Sequence, residues 1–409
     1  MKRRRYVAVA ATLSIGGCLG TGGDAGGNET ADGTSDFDAD VDPVAVEAGT
    51  YDDFEALEEW LVAGGSLEAD GERAVSGSQS GRLTASETAD RVSAVYAPSQ
   101  PLDVTGYAPG LAVAADRDLV LRLRLHDAAG DFVEYRTRVV GGLPFDRRQF
   151  GIDRLVGEPS IDEVRRIEIL RHTGDGPSEL WIDDLHFVPR PDPGAVMIHF
   201  DGGYETDYTR ALPILAEHDV PATTFVTPDR LRTDPRHEGD RLTTAQVETL
   251  ADAGWTIGSH AARGLALTDV ADARADVDGA VRWLAANGYG EGARYFSYPA
   301  GQYDAASYGL AAEYHDLAFA GGGVAHGHVT DPHRIPRVVH PDAETARDAI
   351  DQTVARGGIT SFVFHELDAD SEAVLADLVD RVVDRESAGD LSIVTPADLA
   401  AEYRYRPDQ

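Results

Sequence analysis

The sequence predicts two folded parts in series, an all-β sandwich over residues 44–190 and an α/β barrel over residues 191–409. Three observations carry this reading. Short segments with a period of two fill the first part, as in strands with distinct faces. In the second part, near-continuous apolar runs alternate with helical stretches, the pattern of a parallel sheet covered by helices. Between the two, Arg190-Pro191-Asp192-Pro193-Gly194 interrupts both patterns with its prolines.

Within the first part, Leu119, Leu121, Leu123 and Leu125 alternate with Val120, Arg122 and Arg124. Phe132 to Val139 and Val164 to Leu170 repeat the alternation, separated by Gly and Asp turns at the spacing of a sandwich. Two features resemble the galactose-binding-like jelly rolls found beside carbohydrate enzymes. One is Phe54-Glu55 followed by Trp60 and Ser78-Gln79-Ser80-Gly81-Arg82-Leu83, and the other is the closing strand Leu180 to Phe187. That resemblance implies a glycan-binding or spacer domain. Trp60 and Trp181 suit either a core or a sugar-stacking platform.

The second part begins its strand-like runs at Val196 to Phe200 and Ala222 to Val226, and continues through Thr256 to Gly258 and Tyr295 to Tyr298. Leu317 to Ala320, Thr360 to Phe364 and Leu391 to Val394 complete the series. Thr244 to Ala253, Ala271 to Ala286 and Glu372 to Val383 read as intervening helices. So many repeats of one strand–helix unit favour a closed or nearly closed barrel over an open sheet.

Ahead of both parts, residues 1–18 read as an export signal. Lys2-Arg3-Arg4-Arg5-Tyr6 precedes an apolar stretch from Val7 to Ile15, too short for a helix of the roughly 20 residues that span a membrane. The paired arginines resemble a twin-arginine signal. Ile15-Gly16-Gly17-Cys18 resembles a lipobox, which implies lipidation of Cys18 and a lipoprotein anchored on the outer face of the cell membrane. Ordinary secretion, with Cys18 discarded or left free, is the alternative. Residues 19–43, rich in Gly, Thr, Asp and Glu, read as an acidic tether. Asn28-Glu29-Thr30 within it is a glycosylation sequon.

Composition excludes several function classes. Lys and Arg number 36 against 71 Asp and Glu in 409 residues, a formal charge of −35. Binding to the phosphate backbone of nucleic acid needs clustered cations, so nucleic acid is not an expected partner. Lys2 is the sole lysine. Acidity of this kind resembles that of halophilic proteins, whose charge maintains solubility while salt screens repulsion. One cysteine, Cys18, rules out an internal disulfide and a cysteine-rich zinc site.

In parallel barrels, active sites lie at the C-terminal ends of the strands. The polar residues ending these runs are Asp201, His260, Tyr298-Pro299 and His365. Taken singly they suit a helix cap or core histidines; together they point to one rim. Ile198-His199-Phe200-Asp201-Gly202-Gly203-Tyr204, Ile257-Gly258-Ser259-His260, Phe296-Ser297-Tyr298-Pro299-Ala300-Gly301 and Phe362-Val363-Phe364-His365 occur in that order. This ordered set resembles the polysaccharide deacetylase family, carbohydrate esterase family 4, over residues 196 to about 403. The resemblance implies a distorted (β/α) barrel that hydrolyses N-acetyl or O-acetyl groups on glycans with a divalent, zinc-type metal. It also implies roles: Asp201 as base, His365 as acid, His260 as metal ligand, and Tyr298, Pro299 and Gly301 at the substrate.

Two metal positions of the family fall on Gly202 and Gly264, which have no donor side chain, and the third motif's aromatic is Ala300. His199 lies on the same strand side as Asp201, as an interior residue or a substitute ligand. Arg263 suits a solvated loop or a guanidinium standing in for the metal charge. Glu205 and Asp207 read as the start of the next helix. Two readings follow: a metal-dependent glycan deacetylase, and a catalytically impaired member that binds a surface glycan without hydrolysis. A purely structural surface component has no specific support.

Overall fold

A computed structural model describes residues 41–174, 178–233 and 240–406. The export signal, Cys18 and Asn28 lie outside the described residues.

The sandwich consists of two antiparallel sheets. One runs in the order 151–156, 132–139, 119–126, 166–172, 91–96 and 60–63, and the other 146–148, 107–115, 179–189, 80–85 and 65–70. Leu121, Leu123 and Leu125 face inward against Val113, Ile182 and Phe187 from the opposite sheet. Apolar area removed from water on this scale, at about 25 cal/mol per Å², is the main driving term for a two-sheet fold. Trp60 is part of that core, stacked on Phe54 at 4.9 Å. Trp181 is also buried: its indole N–H donates to Asp70 at 2.7 Å and Arg73 covers its ring at 3.9 Å. Neither tryptophan presents a free face as a sugar platform.

Eight strands form the barrel sheet. They are β1 (Gly194–Asp201), β2 (Thr223–Val226), β3 (Thr256–Ser259), β4 (Tyr295–Ser297), β5 (Leu317–Phe319), β6 (Val338–Val339), β7 (Ile359–Phe364) and β8 (Leu391–Ile393). Their order is β5-β4-β3-β2-β1-β7-β6, with β8 beside the start of β1, and every pairing is parallel. The segment 332–339 bridges the two outer members, pairing with β5 through Ile335 and with β7 through β6. That bridge, whose strand is only the two residues Val338–Val339, is the element the sequence pattern does not announce.

Parity on β1 sets the plan of the barrel. Val196, Ile198 and Phe200 pack outward with helix residues such as Leu375, Leu378 and Val382. Ala195 and Met197 point inward with Phe225 and Phe319, so His199 and Asp201 follow on the inner side. All eight β1 residues are buried, which explains why the strand reads as an unbroken apolar run.

Polar contacts join sandwich and barrel. Arg190 donates to the Tyr135 hydroxyl at 2.7 Å, Thr330 Oγ1 to the Arg147 carbonyl at 3.2 Å, and the Ile152 N–H to Nδ1 of His326 at 3.1 Å. Burial, with smaller contributions from Arg190 and Arg356, lowers the His326 pKa to about 3. A histidine neutral in the fold but basic when unfolded costs stability as pH falls below about 6.5, by up to ~1.4 kcal/mol per pH unit. Between pH 7 and pH 5, urea unfolding of His326→Asn should therefore lose less stability than the wild type. Equal losses in both proteins would remove His326 as the cause.

Candidate active site

Strand parity decides which predicted residues share the barrel interior. Asp201 ends β1 on the inner side, His260 follows β3, and His365 follows β7 beside the inward Val363. Asp201 and His365 line one cavity, and the charges of His260 and His365 both act on Asp201. On β4 it is Ser297 that faces inward. Tyr298, one residue on, turns outward into a core with Phe296 and Ala318, and its hydroxyl donates to the His333 carbonyl at 3.0 Å. This corrects the expectation of Tyr298 at the substrate: a strand cannot aim consecutive side chains to one face. Pro299 is buried as well, whereas Gly301 lines the cavity above Asp201.

Asp201 is held by a residue the sequence motifs do not include. Arg337, on the bridging segment, donates through Nη1 to Oδ1 at 2.9 Å and through Nη2 to Oδ2 at 2.7 Å. Ser297 Oγ donates to Oδ2 at 2.8 Å and accepts from Arg337 Nη2 at 2.9 Å. Both charged side chains are 3% exposed or less. Burial alone would raise the Asp201 pKa, but the Arg337 guanidinium overrides it and holds the carboxyl well below the usual range. A fork-to-fork pair of this kind is both strong and directional. The signal in the sequence is faint: an arginine between Ile335 and Val339 at period two.

His260 donates through its Nδ1–H to the Ser297 carbonyl, 2.9 Å away, leaving Nε2 as its other polar atom. Burial lowers its pKa to about 4, so the ring is neutral at pH 7. His365 is half-buried, and its Nδ1 has no hydrogen-bond partner. It stacks on His340 with centroids 4.4 Å apart, and burial lowers its pKa too. His199 lies one layer below Asp201, edge-on to Phe225 and Phe319, with both ring nitrogens unpartnered and a pKa lowered by burial to about 3. It is an interior histidine without a route to a ligand.

The residues present do not fit a divalent metal held in the family's manner. A catalytic site of that type keeps three protein ligands and one open position. Both Asp201 oxygens are engaged by Arg337 and Ser297, and Gly202 and Gly264 offer nothing to coordinate. Among the described residues, no group of three His, Cys, Asp or Glu side chains is placed to hold a metal. The glycines are not simple deletions either. Gly202 has φ +97°, and a Cβ there would sit 2.7 Å from Arg241 Nη1 and 3.0 Å from the Tyr204 ring. Gly264 has φ +63°, and its Cβ would sit 2.5 Å from Thr227 Cγ2. Left-handed backbone is where glycine is favoured over residues with a Cβ.

Arg241 fills the room beside Gly202. It donates to the Gly202 carbonyl at 2.8 Å, which also accepts from Thr227 Oγ1 at 3.1 Å, and its guanidinium lies 3.6 Å over Tyr204. Arg263, by contrast, pairs with Asp276 at 2.9 Å, away from Asp201. Glu205 and Asp207 do begin the helix after β1, and Asp207 is fully buried there, accepting from Thr224 Oγ1 at 2.8 Å, with burial raising its pKa well above normal. Glu205 accepts from Gln246 and pairs with Arg232.

Residues 189–317 match the family model described as polysaccharide deacetylase. No curated protein matches the chain. Among solved structures, a family 4 carbohydrate esterase from Streptomyces lividans is 19% identical with a TM-score of 0.36, covering 50% of this chain and 94% of its own. A family 4 carbohydrate esterase from Bacillus anthracis is 20% identical with a TM-score of 0.35, covering 51% and 82%. An exo-β-agarase is 13% identical with a TM-score of 0.32, covering 35% of this chain, which spans a quarter of the agarase.

Removing Arg337 should test the pairing directly. Arg337→Leu leaves a buried carboxylate uncompensated and should cost about 3–5 kcal/mol in urea unfolding at pH 7. Adding Asp201→Asn should restore a large part of that loss. Stability unchanged in the single variant would mean that the ion pair does not form.

Proposed function

We propose that this protein binds acetylated glycan in the barrel without metal-dependent hydrolysis, as a catalytically impaired deacetylase-type domain. The observation that carries the proposal is the double hydrogen bond from Arg337 to Asp201. A general base must be free to take a proton from water within hydrogen-bond reach. Here both carboxylate oxygens already accept from cationic or hydroxyl donors, and the depressed basicity of Asp201 opposes proton abstraction. Polarisation of the acetyl carbonyl, usually the largest electrostatic contribution in such hydrolysis, has no metal ligand set behind it.

The cavity over Asp201 supports the binding half of the proposal. It has a volume of about 620 Å³, within the range of ligand pockets, and is bordered by Gly301, Gln302, Tyr303 and His365. Hydroxyl-rich ligands suit a polar floor with an aromatic edge.

On sequence grounds we further propose that the protein is exported and anchored outside the cell through a lipid on Cys18. Cys18→Ser should then move it from the membrane fraction to the medium.

The functional test uses the full folded chain in high salt. Metal analysis after incubation with zinc, and acetate release from N-acetylchitotetraose, should both stay at background while the oligosaccharide binds by calorimetry. Close to one retained metal per chain together with acetate release would overturn the proposal in favour of the metal-dependent deacetylase. Absence of oligosaccharide binding would overturn it in favour of a structural role.

A further inference from the structure

We infer that the sandwich is part of the glycan site, forming one wall of a cavity built for a neutral saccharide. This rests on the proposed glycan-binding role of the barrel and extends it to a ligand class and a second domain. The 620 Å³ cavity is closed on one side by Arg136, Arg138, Arg148 and Gln149 of the sandwich, facing Gln302 and Tyr303 of the barrel. A spacer domain has no need to place polar side chains there. Two of them are incompletely satisfied: Arg148, 5% exposed, has no hydrogen-bond partner at Nη2, and Gln149 has none at either amide atom. Buried polar atoms without partners are uncommon in folded proteins and call for an explanation, one being a ligand that engages the group.

Charge pairing around the cavity selects the ligand. Each lining arginine has an acidic partner. At the rim, Arg136 pairs with Asp153 at 3.5 Å and Arg138 with Asp118 at 2.7 Å. Deeper, Arg148 pairs with Asp146 at 2.9 Å, Arg334 with Asp331 and Asp146, and Arg337 with Asp201 at 2.7 Å. Five guanidinium groups thus meet five carboxylates, and the local charge sums to zero. In a chain of net charge −35, a wall that binds an acidic sugar needs an uncompensated cation excess, and these pairs leave none. What they present is donors and acceptors side by side. A sugar hydroxyl is both donor and acceptor and matches that pattern. Tyr303 and the flat Gly321-Gly322 stretch add apolar surface for a pyranose face.

Calorimetry on the full chain in high salt tests this with N-acetylchitotetraose, acetylated xylotetraose and tetragalacturonate as probes. At least one neutral tetrasaccharide should bind tenfold or more tightly than tetragalacturonate. Arg136→Ala with Arg138→Ala, both solvent-accessible rim positions, and separately Gln149→Ala, should each weaken the neutral probe about tenfold. Tyr303→Ala should weaken it as well, from the barrel side. Thermal melts confirm that each variant is folded, and the rim pair keeps the test alive should Gln149→Ala not fold. If Tyr303→Ala loses binding while the sandwich variants keep it, the shared site is overturned and the barrel reading stands. If tetragalacturonate binds as tightly as the neutral probes, the ligand class is overturned. If no probe binds the wild type, the glycan-binding role fails and the inference fails with it.

Discussion

The buried pair of Asp201 and Arg337 is the constraint around which the barrel mouth is arranged. It joins β1, at the centre of the sheet, to the bridging segment that links β5 with β7. Ser297 from β4 accepts from Arg337 and donates to Asp201, so three elements meet at one carboxylate. Taking two charges out of water costs several kcal/mol each, and only full hydrogen bonding offsets that cost. The arrangement therefore orders the rim around one carboxylate.

A second guanidinium extends the same theme. Arg241 lies against the left-handed turn at Gly202, where a carboxylate-bearing side chain would have to emerge. Beside Gly264 the corresponding room is taken by Thr227 rather than by an arginine. His260 and His365 keep their places on the inner face because strand parity, not metal binding, puts them there.

The sandwich and the barrel share more than a linker. Contacts from Tyr135, Arg147 and Ile152 to Arg190, Thr330 and His326 hold the sandwich edge against the barrel mouth. That placement turns an open rim into a walled cavity.

Periodicity in the sequence determined the elements. The apolar run of β1, the leucine alternation at 119–125 and the strand–helix succession each report a local backbone repeat, and they specify an all-β domain followed by a parallel barrel. Asp201, His260 and His365 were legible for the same reason, since each directly ends or follows a recognisable strand. What only the tertiary structure decided lies between segments distant in the chain. Arg337 meets Asp201 across 136 residues, Arg241 reaches Gly202 across 39, and the one-residue difference between Ser297 and Tyr298 assigns opposite faces. Local repeats encode which residues form a strand and which side they take relative to one another. Which side is inside, and what comes to meet it there, depends on closure of the barrel, and no local pattern contains that.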